Sequence, residues 1–163
     1  MTEQSVPDKG SAPLPTGVAF DPAVASKLLT RFGHGGWLGM RYHAHGGGWV
    51  ELALPWREDL VGIAGNGPGS GILASGPIIS LMDNATSMAV WTMRGPFQPQ
   101  VTVDLRVDYM RAAMPGKTLI GRGECYKLTR TIAFVRGVAH DGDIGDPVAH
   151  VAGTFMVLDG PAG

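Results

Sequence analysis

A carboxylate stands in the middle of the most apolar stretch of this chain. Between Ala74 and Met93, Asp83 is set among apolar residues at 78, 79, 81, 82, 85, 88, 89, 90 and 91. That set is wider than one stripe, so the helix it implies is covered by protein on most sides. Burying a carboxylate is costly unless it is paired, hydrogen-bonded or left facing a cleft. A carboxylate partly withdrawn from water holds its proton more tightly, which suits a general base near neutral pH. The other reading puts Asp83 on the one solvated edge of the helix, beside Asn84.

The start of the same helix offers a second kind of chemistry. Pro77 fits the first helical position, where no N–H is needed, so Gly76 or Ser75 is the cap and the helix begins at about residue 77. Arg94, Gly95 and Pro96 end it. Unpaired N–H groups at a helix start, aided by the dipole, suit the oxyanion that forms when a carbonyl is attacked. From Gly76 to Asp83 is seven residues, or roughly 10 Å at 1.5 Å per residue. A reacting carbon must lie about 3 Å from both groups. One helix therefore cannot supply both, and a site that uses them pairs the helix start of one chain with Asp83 of another.

Composition narrows the classes. The chain of 163 residues fits one domain, expected over 21–163 behind a Pro- and Gly-containing arm at 1–20. Thirteen basic against fourteen acidic residues give a net charge of -1, so there is no electrostatic case for nucleic acid. The single cysteine, Cys125, excludes an intrachain disulfide and reads as a small buried hydrophobe among strand residues. No apolar run approaches the roughly 20 residues that cross a bilayer, and no leader pattern opens the chain, so a cytoplasmic protein is expected. The five histidines (His34, His43, His45, His140 and His150) come with no His-x-x-x-His helix or Cys pair. They read as exposed or locally hydrogen-bonded, and no metal is expected. The Gly-rich run at 65–71 lacks the Lys-Ser/Thr ending of a phosphate-binding loop.

The positioning elements follow from pattern. Asp21 and Pro22 open a short helix to about Phe32, with Val24, Leu28, Leu29 and Phe32 at helical spacing and Gly33 as stop. Extended segments at 37–45 and 48–54 flank a glycine turn, and Val50, Leu52 and Leu54 alternate as a half-buried strand does. Residues 55–75 read as an irregular loop. After the long helix, runs at 101–110, 119–128, 132–139 and 148–158 read as four strands of an antiparallel meander. The fold class is α+β, a sheet wrapped over one long helix.

That order of elements, with Leu81-Met82-Asp83-Asn84-Ala85, the strand Val101-Thr102-Val103-Asp104-Leu105 and the turn Lys127-Leu128-Thr129-Arg130, resembles the hotdog-fold acyl-CoA thioesterases of the PaaI-like group. Within that group the pattern is similar to the mammalian acyl-CoA thioesterase thirteen subfamily. The resemblance covers about residues 35–158. It implies that Asp83 is the nucleophile or the base on water, that Thr102 orients the water, and that the amides of Ser75 and Gly76 form the oxyanion hole. A loop asparagine then contacts the hole or the water, and Asn66 is the candidate. Ala74 stands where the family has a histidine, and Ser75 where it has the first glycine.

The function implied is hydrolysis of an acyl-CoA thioester by a homodimer, with pairing of dimers left open. Coenzyme A is part of the substrate, and no separate cofactor, nucleic acid or membrane partner is expected. Arg130, Lys127 and Arg111 are candidates to meet its phosphates, with solvated surface charge as the other reading. Ile79, Met82 and Met88 are candidates to border the acyl group. The alternative to hydrolysis is a module that binds acyl-CoA without turnover, motivated by Ala74. A hydratase ranks last because the helix carries no histidine to pair with Asp83.

Overall fold

In the computed structural model, which describes residues 19–29 and 33–158, the chain begins with α1 (Pro22–Leu29), α2 (Gly33–Leu38), β1 (Arg41–Gly46) and β2 (Trp49–Leu54). It continues through β3 (Val61–Ile63), β4 (Ile72–Leu73), α3 (Ser75–Arg94), β5 (Gln100–Tyr109), β6 (Leu119–Leu128), β7 (Ile132–His140) and β8 (Ala149–Val157). Six strands make one antiparallel sheet in the order β1-β2-β6-β7-β8-β5, and β3 with β4 forms a separate hairpin. The sheet wraps α3, which packs on β2, β6 and β7. The expected α+β hotdog architecture is the observed one.

Packing explains the arrangement. Val50, Leu52 and Leu54 are fully buried, as their alternation requires, and they meet Leu81, Met82 and Ala85 of α3 together with Leu119. Gly123 of β6 lets the helix lie close: a Cβ built there would stand 2.4 Å from the carbonyl carbon of Ala85. Helix and strand backbones are thus in contact, a spacing no side chain allows. The buried face of α3 is broad, yet one face stays open. Gly76, Ser80, Asp83 and Ser87 recur at helical spacing, and none of the four is buried.

Several expectations are corrected. The four late strands are not a simple meander: β5 swings to the far edge beside β8, and β6 pairs with β2. Residues 55–75 are not irregular throughout, because a 3-10 turn at Glu58–Leu60 leads into the β3–β4 hairpin. Helix α3 begins at Ser75 with Ala74 as its cap, so Pro77 is the third helical residue rather than the first. The described part of α1 ends at Leu29, and Gly33, expected as its stop, opens α2, which delays β1 to Arg41. The Asp21 cap is as expected, accepting from the Ala23 N–H at 2.8 Å, whereas Val24 points to solvent. The side chains of Leu28, Leu29 and Phe32 lie outside the described residues, as does most of the proposed arm, residues 1–18. The last two residues of that arm are fastened. Ala19 bridges Pro96, and Phe20 donates its N–H to the Gly95 carbonyl at 2.8 Å while its ring packs on Trp91.

Candidate active site

The donors at the start of α3 can be accounted for one by one. Ala74 donates its N–H to the Leu60 carbonyl at 2.9 Å, which ties the cap to the β3 hairpin. Pro77 has no N–H. Ser75 and Gly76 are left as the two amides with no acceptor among the described residues. Both residues are exposed, and the space beside the Gly76 Cα is open. The cap side chain makes no hydrogen bond and the first turn holds no acidic residue, so the helix itself supplies no carboxylate to its positive end. These two amides form a ready anion-binding pair.

Two turns further along the open face stands Asp83. The Thr102 hydroxyl donates to its Oδ1 at 2.8 Å, joining the edge strand β5 to α3. Strict alternation along β5 would send Thr102 to the face opposite Leu105 and Val107, which pack against the core. A bulge between Thr102 and Asp104 in the pairing with β8 resolves this, because one extra residue reverses which side chains face the helix. Gln100 and Thr102 before the bulge, and Leu105 and Val107 after it, all turn toward α3. Gln100 donates to the Ser87 hydroxyl at 2.8 Å, one helical turn beyond Asp83.

Two clefts flank the helix start. One, of about 290 Å³, lies between α2, the β3 segment and α3, and Gly76, Pro77 and Ser80 form its helix side. The other, of about 270 Å³, lies between β4, Ser75 and the end of β5. In the second cleft the Tyr109 hydroxyl donates to the Ser75 carbonyl at 3.3 Å, and partial burial pushes the phenol above its ordinary pKa. In the first, His34 Nε2 lies 3.0 Å from Ser80 Oγ. Sequence reasoning gave Ser80 and Tyr109 no role and read His34 only as an exposed or locally hydrogen-bonded histidine. His34 and Ser80 are 46 residues apart, so no local spacing links them.

The remaining candidates are placed as follows. Asn66 lies at the exposed tip of the β3–β4 hairpin, where no hydrogen bond joins it to Ser75 or Gly76. Met82 is 0% exposed, with its thioether against Gly121 and Gly137 of the sheet, and Met88 is likewise buried, so neither borders a cleft. Ile79, the third candidate to border the acyl group, is 41% exposed on α3. Arg111 is removed from the phosphate-binding candidates: Asp141, Asp146 and the carbonyls of Ala112 and Asp146 occupy all five of its N–H donors. Lys127 and Arg130 are exposed near the β6–β7 turn, where the Arg130 carbonyl accepts from Arg94 of the α3 C-terminus. Cys125 is buried, and burial pushes its thiol pKa up. Among the described residues no group of three His, Cys, Asp or Glu side chains could hold a metal. No described helix is long and apolar enough to cross a membrane.

The comparisons with known proteins bear on this geometry. A protein from Pseudomonas aeruginosa is 34% identical, with a TM-score of 0.72 over 82% of this chain and 96% of that one. A thioesterase from Haemophilus influenzae aligns with a TM-score of 0.71 at 17% identity, over 88% of this chain and 94% of its own. The PaaI protein of the E. coli phenylacetic acid degradation operon gives 0.68 at 16% identity, over 83% and 91%. At those identities the last two show a shared fold alone. No curated protein sequence matches. The model of the thioesterase superfamily matches residues 70–148, the segment that holds the α3 amides, Asp83 and Thr102. By its matched segment, its fold and its relatives, this chain belongs to the thioesterase superfamily.

Proposed function

We propose that the protein hydrolyses acyl-CoA thioesters, with two protomers building each site. The observation that carries the reading is the Asp83–Thr102 pair on the open face of a helix whose start holds two unpaired amides. Strand β5 runs along α3 in the opposite direction, so Thr102 lies beside Asp83 and Tyr109 beside Ser75. It is also the sheet edge, and it exposes Val101 and Val103 by 42% and 58%. The same edge exposes Asp104 and the Arg106–Asp108 ion pair, and its unpaired backbone invites a strand from another copy. If β5 pairs antiparallel with its copy about a two-fold axis near residues 105 and 106, Thr102 of one protomer comes opposite Tyr109 of the other. The partner's Ser75 and Gly76 are then carried toward Asp83, because the two strands that bear Thr102 and the partner's Tyr109 lie about 4.8 Å apart. This removes the separation of roughly 10 Å that one helix imposes.

The reaction follows from these positions. The thioester carbonyl oxygen lies against the Ser75 and Gly76 amides, and Asp83 takes a proton from water as the oxygen attacks the carbonyl carbon. The Thr102 proton is committed to Asp83 Oδ1, so Thr102 holds the water through its oxygen lone pairs and leaves Oδ2 free to act as base. Collapse of the oxyanion breaks the C–S bond, and the proton held by Asp83 passes to the departing thiolate. Products are a free acid and coenzyme A. The finer assignment, to PaaI-like acyl-CoA thioesterases related to the mammalian subfamily thirteen, rests on the helix and strand motifs. Lys127 and Arg130 are the cations proposed to meet the coenzyme A phosphates, and Ile79 borders the partner's site.

The test is a thiol-release assay over short, medium, long and aromatic acyl-CoAs, with Asp83→Ala as control. Release by the wild type and none by the variant supports the mechanism, and equal rates exclude Asp83. Ala74 favours the alternative of binding without turnover, because its methyl gives the helix start no polar side chain. Tight binding by calorimetry with no thiol released would be its signature.

A further inference from the structure

A thioester bound at the helix start has two arms, the acyl group and the thiol-bearing chain, and they leave the carbonyl in different directions. The structure offers two clefts there, one bordered by Gly76 and the other by Ser75. The Ser75 cleft ends at Tyr109 and Met110, on the edge strand that meets the partner in the proposed dimer. The Gly76 cleft opens away from that edge, under α2. Its walls are mostly apolar, with Trp37, Leu38, Leu60 and Val61; Asp59, held by Arg57, also lines it, and His34 and Ser80 reach into it as a hydrogen-bonded pair at 3.0 Å.

That pair is not exhausted by its mutual bond. Among the described residues neither His34 Nδ1 nor a further partner for Ser80 Oγ is engaged. A hydroxyl offers one donor and two lone pairs, and an imidazole two ring nitrogens. Ser80 lies one helical turn beyond Gly76, on the face that also carries Asp83. A few convergent polar groups in an otherwise apolar cleft orient a ligand and select it. If the pair only tied α2 to α3, the identity of the acyl group would not matter to it.

Resting on the thioesterase reading, we propose that the Gly76 cleft receives the acyl group and that His34 and Ser80 hydrogen-bond a polar substituent on it. The substrate class is then a compact acyl-CoA carrying a hydroxyl or keto oxygen beyond the thioester, selected over the plain hydrocarbon acyl group of equal length. A volume of 290 Å³, at about 30 Å³ per water-sized group, holds on the order of ten non-hydrogen atoms. The indole of Trp37, 6.0 Å from the His34 ring and nearly parallel to it, closes one side.

The test compares hexanoyl-CoA with its 3-hydroxy and 5-hydroxy forms, by thiol release and in parallel by calorimetric binding. The wild type should favour one hydroxylated form by about tenfold in kcat/KM. In His34→Ala and in Ser80→Ala that ratio should fall toward one, and His34→Gln, which keeps a donor and an acceptor, should restore part of it. Thermal unfolding of each variant separates this from loss of fold. A wild-type ratio near one, or variants that lower all three substrates alike, overturns the proposal. If the wild type releases no thiol at all, the hydrolase reading fails, and the binding ratios still decide the acyl cleft: a preference lost in both alanine variants upholds it, and equal affinities overturn it.

Discussion

The Thr102 hydroxyl meets Asp83 Oδ1 at 2.8 Å only because β5 gains a residue at Val103. Before the bulge the even-numbered side chains face α3, and after it the odd-numbered ones do. The same strand thus sends a hydroxyl to the carboxylate and, three residues on, an apolar side chain to the core. The bond fixes one oxygen of Asp83 and leaves the other on the open side of the helix.

Two substitutions separate those roles. Asp83→Asn keeps the size and one acceptor but cannot take a proton, so kcat should fall roughly 100- to 10,000-fold, the usual worth of a general base. Thr102→Val removes a hydrogen bond to a charged group, worth about 1.5–3 kcal/mol. Its kcat/KM should fall about 10- to 100-fold while the Asp83 proton transfer remains possible. Steady-state thiol-release kinetics check both. A Thr102→Val enzyme as active as wild type would make the contact merely structural.

What the sequence made legible was whatever depended on local period or local spacing. The alternation of Val50, Leu52 and Leu54, the Asp21 cap and the apolar positions of α3 could be read directly, and the structure buries or caps as they require, Ile79 excepted. What it could not show were contacts that cross the chain. Whether Thr102 faced Asp83 depended on a bulge, and alternation in the sequence gives no sign of an extra residue that has no partner in β8. The pairing of β5 with β8 depends on long-range competition among strands, which adjacency in sequence misjudges. Arg111 looked free because its partners, Asp141 and Asp146, lie 30 and 35 residues away.

Gly123 tests the packing of helix on sheet. A Cβ there would overlap the Ala85 carbonyl group, which is backbone and cannot rotate aside. Gly123→Ala should therefore force α3 off β6 and cost about 1–3 kcal/mol. For a chain of this size that lowers Tm by about 2–4 °C per kcal/mol. A calorimetric scan with unchanged Tm would mean the helix shifts without cost.

The buried Asp141 predicts an acid limb of stability. It takes a two-pronged bond from Arg111 at 2.7 and 2.9 Å and a third from the Met114 N–H at 2.7 Å, and the Arg111 guanidinium holds its carboxyl well below the usual carboxylate range. A folded pKa below the unfolded one adds stability above the unfolded value of about 3.9. That stability is withdrawn as pH falls toward the folded value. Asp141→Asn should thus be less stable at pH 7 by about 3 kcal/mol, with the gap to wild type narrowing below about pH 4. Urea unfolding at pH 7, 4 and 2.5 measures it, and a gap independent of pH would assign the cost to shape instead of charge.

The shared site makes a prediction about mixtures that no single-chain site can meet. Asp83→Asn protomers keep a working helix start, and Gly76→Asp protomers keep a working base but set a carboxylate against the oxyanion position. Each homodimer should be inactive. In a heterodimer, the helix start of the first protomer faces Asp83 of the second, and one of the two sites is whole. Random reassociation of equal amounts should restore about a quarter of the wild-type thiol release, since half the dimers are mixed and each has one good site. If each chain completed its own site, the mixture would stay inactive. Val103→Lys, which places a charge on the β5 edge, should give monomers by sedimentation and abolish turnover, whereas Ile144→Lys in the β7–β8 turn, equally exposed but away from that edge, should do neither.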